Sequence, residues 1–199
     1  MNKLISIVGA SGVGKTALAQ ALAKTNKFMT AYEQHTERPF QALFKQDKKY
    51  ALANQTDYML LRAEQERDLR RNPAQIGLID GGLDLDFHGF TCLFLRRNLL
   101  GQPEFDLCRR LYTFIRTTLP QPELIVRLNA DVETVSSRMV SRQRINIAST
   151  EDTALFNSFL DEWLAGVPSE YKLELDVSNE ALDYQNSTKH ILEFIETHF

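Results

Sequence analysis

Short apolar runs alternate along the chain with longer stretches of helical periodicity. The runs are mostly apolar rather than alternating, which is typical of strands that are buried on both faces of a sheet. Five of them predict strands, at 4–8, 28–32, 76–80, 124–128 and 171–177. Because helical segments separate these strands, the pattern predicts a parallel sheet that is covered by helices on both faces.

The segments between the strands predict helices with recognisable ends. Asp131 stands at a cap position, Pro103 suits a first helical turn, and Pro73 prevents the helix before it from continuing. The predicted helices are 16–24, two within 40–71, 84–98, one that starts near Pro103 and ends before Pro120, 131–141, 150–164 and 184–199. The connections are short, so we expect 1–199 to form a single domain.

Composition narrows the class of protein. The 199 residues are 43% hydrophobic and 25% charged, as in an ordinary globular domain, and the net charge of −3 argues against a dedicated nucleic-acid partner. No run reaches the ~20 apolar residues that span a bilayer, and the N-terminus does not look like a signal peptide. Cys92 and Cys108 have no framework spacing, so we interpret them as reduced packing residues of a cytoplasmic protein without a membrane partner.

A phosphate-binding pattern follows the first predicted strand. The octapeptide fits G-x-x-x-x-G-K-[ST] and reads Gly9-Ala10-Ser11-Gly12-Val13-Gly14-Lys15-Thr16. Such glycines let backbone N–H groups face a polyphosphate, and the N-terminus of the next helix adds partial positive charge. The pattern predicts an ATP site in which Lys15 reaches the β- and γ-phosphates and Thr16 ligates Mg²⁺. The alternative, a glycine-rich turn that binds nothing, is disfavoured by the strand-to-helix context.

Two further features fit phosphoryl transfer. Asp80 ends the third strand, where a second carboxylate can face the metal, although it can equally cap its Asp-Gly-Gly turn. Arg138 and Arg142 share a helix face, with Arg144 just beyond, so an arginine-bearing lid around 138–148 could close over ATP. The alternative for these arginines is simple stabilisation of a helix C-terminus. The fold class predicted is therefore α/β, a three-layer P-loop NTPase fold with a five-stranded parallel sheet.

Four side chains suggest a site for a second substrate. Gln55 and Arg62 lie on one face of a predicted helix, and Asp86 and Phe90 lie on one face of another. These groups have the donors and acceptors to bind a base edge and a ring to stack on it. Spacing alone favours the alternative, an exposed polar face and a core phenylalanine.

Several motifs occur together between Gly9 and about Trp163. Besides the P-loop they are Glu33 with Glu37-Arg38-Pro39-Phe40, Asp47-Lys48-Lys49-Tyr50-Ala51 leading to Gln55 and Arg62, then Asp80, Asp86, Phe90 and the arginines Arg138, Arg142 and Arg144. This set resembles the deoxynucleoside kinases, the family of deoxycytidine, deoxyguanosine and deoxyadenosine kinases. The resemblance implies that Glu33 accepts the proton of a 5′-hydroxyl, with Lys15 and Arg138 assisting transfer. It also implies that Gln55, Arg62, Asp86 and Phe90 bind the acceptor, and that the protein is a homodimer.

Two departures from the family pattern bear on the expected function. The family's Glu/Asp-Arg-Ser motif is Asp80-Gly81-Gly82 here, so its arginine is missing, and Phe44 replaces a tyrosine that binds the sugar. We expect ATP-dependent phosphorylation of a (deoxy)nucleoside, with Mg²⁺ and with ATP as donor. Two alternatives stay open. One is a kinase of a nucleoside monophosphate or another small metabolite, and the other is a nucleotide-binding regulatory protein without phosphotransfer.

Overall fold

The computed structural model describes residues 2–32, 37–140 and 150–199. Its centre is a five-stranded sheet in the order β2-β3-β1-β4-β5, with every neighbouring pair parallel. The strands are β1 (Leu4–Val8), β2 (Phe28–Ala31), β3 (Ile76–Asp80), β4 (Leu124–Asn129) and β5 (Lys172–Asp176). The predicted fold class is confirmed, and each strand lies within one residue of its expected ends.

The sheet register brings two functional segments to one edge. In the central strand β1, Ile7 lies opposite both Asp80 of β3 and Val126 of β4. Since the strands are parallel, the carboxyl ends of β1 and β3, and the loops that follow them, lie at the same end of the sheet. Open α/β sheets bind ligands beyond these carboxyl ends of the strands.

The helices cover both faces of the sheet. In chain order they are α1 (Lys15–Ala23), α2 (Pro39–Gln46), α3 (Ala51–Arg71), α4 (Leu83–Leu85), α5 (Cys92–Arg96), α6 (Gln102–Thr118), α7 (Val132–Val140), α8 (Thr150–Ala165) and α9 (Gln185–His198). Short 3₁₀ turns at Lys48–Tyr50 and Ser169–Tyr171 precede α3 and β5. Asp131 caps α7 as predicted, because its Oδ1 accepts the Thr134 N–H at 2.6 Å.

The core lies in separate apolar layers around the sheet. One layer joins α1 and α9 to β1 and β4, with Leu18, Leu22 and Ile191 fully buried. Another seats Phe156 and Leu160 of α8 against the sheet. A third packs α3 against α6, away from the strands. Among the residues that the structure describes, no helix has the length and apolar character needed to cross a bilayer.

The segment predicted as one helix at 84–98 is divided into three pieces. Between α4 and α5 the residues Asp86–Thr91 form a π-helical turn. The Asp86 carbonyl accepts hydrogen bonds from the side chains of Gln55 and Thr91, each at 3.0 Å. Such turns occur frequently at functional sites, and this one carries both Asp86 and Phe90.

Both cysteines are free thiols, in agreement with the sequence interpretation. Cys108 is buried in α6, and Cys92 is half-buried at the start of α5. Burial raises the pKa of each thiol to about 11, so both stay protonated near neutral pH. We therefore assign them a packing role.

Candidate active site

The phosphate loop joins the end of β1 to the start of α1. Gly9, Gly12 and Gly14 all have positive φ angles, of 148°, 85° and 114°. A Cβ at Gly14 would lie only 1.9 Å from the Tyr184 hydroxyl, so the last glycine is required by packing as well as by its backbone conformation. Tyr184 itself has a φ of 53°, which is rare for a bulky residue. This tyrosine was not predicted, because it follows β5, far from the motif in sequence.

Lys15 stands at the mouth of this loop. Its Nζ donates to the carbonyl oxygens of Gly9 and Ala10 at 2.9 and 3.0 Å. These contacts hold the ammonium group over the curve of the loop, where a bound polyphosphate would lie.

Thr16 and Asp80 meet at the adjoining ends of α1 and β3. The Thr16 hydroxyl donates to Asp80 Oδ2 at 2.5 Å. Asp80 is fully buried, and its Oδ1 meets no hydrogen-bond donor among the described residues. A hydroxyl and a carboxylate with one uncommitted oxygen fit Mg²⁺, which takes few protein ligands and keeps water or phosphate in its other positions.

Arg138 of α7 contacts the phosphate loop directly. Its Nη1 donates to the Val13 carbonyl at 2.8 Å, and its Nη2 donates to the Val177 carbonyl at 2.9 Å. The guanidinium therefore links the loop to the segment that follows β5. Of the predicted lid, Arg142 and Arg144 lie outside the described residues, as does Glu33.

Gln55, Arg62 and Asp86 converge at a second position beyond the sheet. Arg62 Nε donates to Asp86 Oδ2 at 3.1 Å, and Gln55 Nε2 donates to the Asp86 carbonyl at 3.0 Å. The three residues are only 2%, 3% and 4% exposed respectively, so they are not the exposed polar face that spacing alone favoured. Removing one partner of such a buried pair is strongly destabilising, because the other charge then stays buried without compensation.

Aromatic rings flank this polar group. Phe90 is half-buried and packs on Phe156 of α8, with ring centroids 4.9 Å apart at an angle of 58°. Phe44 stacks on Phe94 at 5.2 Å, within the layer between α3 and α6. The ring that replaces the family's tyrosine is thus packed against another ring.

The Asp80-Gly81-Gly82 turn connects the two positions. Gly81 and Gly82 have φ angles of 92° and 104°. A Cβ at Gly81 would lie 3.3 Å from Arg62 Nη2, so this glycine lets the Arg62 guanidinium lie close beneath the turn. The Gly81 carbonyl accepts a 2.5 Å hydrogen bond from the Ser6 hydroxyl.

A buried charged cluster behind this turn was not predicted from sequence. Arg116 of α6 forms ion pairs with Glu66 of α3 at 2.8 Å and with Asp84 of α4 at 2.7 Å. Burial raises the pKa of Glu66. Burial opposes the charge on Arg116, but the nearby carboxylates of Asp84 and Glu66 outweigh it and raise the pKa of this guanidinium. The available signal in the sequence was the position of Glu66 four residues after Arg62, which places both on one face of the helix.

The sheet order, the phosphate loop and the Thr16–Asp80 contact define a P-loop phosphotransferase. A family model described as deoxynucleoside kinase matches residues 5–199, and the chain belongs to that family. It is therefore a kinase, and its reaction is nucleoside phosphorylation with a nucleotide donor.

Individual relatives agree with this assignment. The chain is 22% identical to a deoxyadenosine/deoxycytidine kinase of Bacillus subtilis, over 98% of its own length and 92% of the relative's. It is also similar to two structures of deoxyadenosine kinase from M. mycoides. The one with bound dCTP has a TM-score of 0.79 at 17% identity, covering 98% of this chain and 99% of the other. The one with the products dCMP and a flexible dCDP has a TM-score of 0.76 at 19% identity, with the same coverage.

Proposed function

We propose that the chain transfers the terminal phosphate of ATP to the 5′-hydroxyl of a deoxynucleoside. The observation that carries this proposal is that one short segment, residues 80–86, contacts both the phosphate loop and the proposed acceptor site. Asp80 at its start contacts Thr16 of the phosphate loop, and Asp86, six residues later, pairs with Arg62. A donor's phosphates and an acceptor's base would therefore lie at the two ends of a single rigid connection, with the sugar between them.

On the donor side, the phosphate loop, the magnesium ligands and the arginines would each act on ATP. The N–H groups of Gly9 to Lys15 and the N-terminus of α1 would bind the phosphates, and Lys15 would neutralise charge that develops on the transferred group. Thr16 and Asp80 would hold Mg²⁺, which supplies charge compensation between the phosphates when it is bound. Arg138 already lies against the loop and would support the transition state, together with Arg142 and Arg144 of the lid.

On the acceptor side, Arg62 and Asp86 offer donors and an acceptor to the edge of a base, with Gln55 fixing the backbone of Asp86. Phe90 would stack on the base ring. Glu33 would orient the 5′-hydroxyl and take its proton, a role that rests on the family resemblance. Tyr32, immediately before Glu33 in the sequence, accepts a hydrogen bond at its carbonyl from Gln65 Nε2 of α3, at 3.2 Å.

The missing motif arginine at Gly81 was the basis for the alternative of a nucleotide-binding regulatory protein. Membership of the deoxynucleoside kinase family does not support that alternative. A kinase with a phosphorylated acceptor needs a cation for that phosphate. Arg62, whose Nη2 would lie 3.3 Å from a Cβ at Gly81, is paired with Asp86.

We propose a homodimer for the assembly and the cytoplasm for the compartment. The helices α3 and α6 lie side by side and expose large apolar side chains, with Leu60, Leu107 and Phe114 exposed by 47%, 49% and 69%. Sedimentation of Phe114→Asp beside the wild type tests this face, since a charge there should shift a dimer toward monomer.

A ligand panel tests the proposed function. The chain is mixed with Mg²⁺, ATP and each common nucleoside, deoxynucleoside and monophosphate, and its melting temperature is recorded. Ligands that bind the folded state raise its stability, so an acceptor that binds is detected as a rise in the melting temperature. Every hit is then assayed for ADP release. A deoxynucleoside that both stabilises the chain and drives ADP release supports the kinase proposal. Stabilisation by ATP alone, with no acceptor that drives ADP release, would contradict the proposal.

A further inference from the structure

Arg116 joins two buried carboxylates that come from different parts of the chain. Its Nη1 and Nη2 donate to Glu66 Oε2 and Oε1 at 2.8 and 3.1 Å. Its Nε and Nη2 donate to Asp84 Oδ1 and Oδ2 at 3.0 and 2.7 Å. The side chains of Glu66, Asp84 and Arg116 are only 0%, 2% and 8% exposed. One planar guanidinium therefore satisfies both carboxylates in a bidentate manner.

This cluster lies directly behind the proposed acceptor site. Glu66 follows Arg62 by one turn of α3, and Asp84 precedes Asp86 by two residues. The pair Arg62–Asp86 and the bridge Glu66–Arg116–Asp84 thus connect the same two segments, side by side. Two adjacent connections fix both the distance and the relative orientation of the segments, which a single one cannot do.

The bridge also holds the start of the segment that follows the glycine turn. Glu66 Oε1 accepts the Leu83 N–H at 3.1 Å. Gly81 and Gly82 have no side chains that could anchor the turn, so contacts from outside it must fix its conformation. Ser6 holds its beginning through the Gly81 carbonyl, and Glu66 holds its end through Leu83.

The arrangement depends on the guanidinium rather than on charge alone. Without Arg116, the carboxylates of Glu66 and Asp84 would be buried near each other, and like charges in such a place repel strongly. An ammonium group has no planar fork and cannot reach both carboxylates in the same way. Tyr112 adds a hydrogen bond from its hydroxyl to Asp84 Oδ1 at 2.6 Å.

We propose that Arg116 is a positioning residue for acceptor binding, which sets the Arg62–Asp86 pair by holding Glu66 and Asp84 together. The role rests on the proposed function, because it concerns how that acceptor is bound. It does not extend to the donor, since the Thr16–Asp80 contact and the phosphate loop lie on the other side of the glycine turn.

The test compares Arg116→Lys with a matched control, Arg70→Lys. Arg70 is also a buried arginine, on α3, and it donates to Glu123 and to the carbonyls of Asn2, Pro120 and Gln121. We expect Arg116→Lys to raise the KM for the acceptor roughly tenfold, which corresponds to about 1.4 kcal/mol, with the KM for ATP unchanged. Arg70→Lys should lower the melting temperature and leave both KM values unchanged.

A second readout needs no turnover. Amide hydrogen exchange over residues 83–91 should be faster in Arg116→Lys than in the wild type and unchanged in Arg70→Lys. Should the wild type phosphorylate no nucleoside, the proposed function fails, and the exchange rates still decide whether Arg116 fixes this segment. If Arg116→Lys does not fold, Tyr112→Phe removes one bond to Asp84 and should produce the same changes at smaller size. Equal melting losses in both lysine variants, with acceptor KM and exchange unaltered, would overturn the proposal.

Discussion

The Thr16 hydroxyl donates a 2.5 Å hydrogen bond to Asp80 Oδ2, which joins the phosphate loop to the end of strand β3. The other oxygen of this buried carboxylate meets no donor among the described residues, so it is available to a metal ion. We predict that Asp80→Asn lowers turnover with Mg²⁺ and ATP by roughly 10- to 100-fold, the usual range for changes around a metal site. The turnover of both chains is measured while Mg²⁺ is titrated at a fixed ATP concentration. Thr16→Ser is the control, because it keeps the hydroxyl and should retain activity. Unchanged magnesium dependence in Asp80→Asn would contradict the assignment.

The missing family arginine should not be restorable by a single substitution. Gly81 has a φ of 92°, and a Cβ there would lie 3.3 Å from Arg62 Nη2. A non-glycine residue in this conformation costs about 1–2 kcal/mol. We predict that Gly81→Ala loses this much stability in urea unfolding, and that Gly81→Arg loses at least as much and also weakens acceptor binding. An increase in turnover in Gly81→Arg would show that this turn can accept the family's arginine after all.

The Arg62–Asp86 pair should behave as a buried unit. Its side chains are 3% and 5% exposed, so removing one partner leaves the other charge buried. We predict that Arg62→Met destabilises the chain by about 3–5 kcal/mol, and that the double variant Arg62→Met with Asp86→Leu recovers much of this loss. Neither variant should bind the acceptor. Chemical unfolding measures the stability of each variant, and calorimetric titration measures its binding of the acceptor. A double variant as unstable as the single one would contradict it.

The layout of the sheet could be predicted because local patterns determine it. Short, mostly apolar runs marked the strands, and the phosphate motif identified which strand is β1. Asp131 and Pro103 marked helix starts, where the required hydrogen bonds are made by neighbours in sequence. The position of the phosphate loop between β1 and α1 follows from the same local information.

The polar interior could not be predicted in the same way. Arg116 meets Glu66 and Asp84 across 50 and 32 residues of sequence, and no spacing rule indicates which buried charges will pair. The π-helical turn at Asp86–Thr91 was missed because helical periodicity does not reveal an i to i+5 register. For Gln55 and Arg62, spacing favoured an exposed face, and that interpretation was wrong since both are buried. The roles of all the predicted site residues remain predictions, and Glu33, Arg142 and Arg144 also lie outside the described residues.

Acid should destabilise the chain through His88. The ring stacks on Trp163 at 4.8 Å, and burial lowers the His88 pKa from 6.5 to about 4, partly opposed by Asp84 and reinforced by Arg116. The neutral ring is therefore favoured in the folded state. The stability that this provides is present above pH 6.5 and is lost as the pH falls toward 4, by about 3 kcal/mol at most.

The comparison of wild type with His88→Gln isolates this contribution, because other titrating groups are common to both chains. Urea unfolding is followed by the fluorescence of Trp163, the single tryptophan, at several pH values. We expect the difference in stability between the two chains to shrink steadily as the pH falls from 7 to 4. A difference that is constant with pH would show that His88 is not held neutral.

The most direct test of the central claim follows the phosphate itself. The chain is given Mg²⁺, ATP labelled in its terminal phosphate, and the deoxynucleoside that best stabilises it, and the product is identified by mass spectrometry and phosphorus NMR. We predict that the label appears on the 5′-oxygen, that an acceptor without a 5′-hydroxyl takes up none, and that Glu33→Gln slows transfer by roughly 10²- to 10⁴-fold while ATP still binds. Label that stays on ATP, or is released only as inorganic phosphate with every acceptor, would contradict the account.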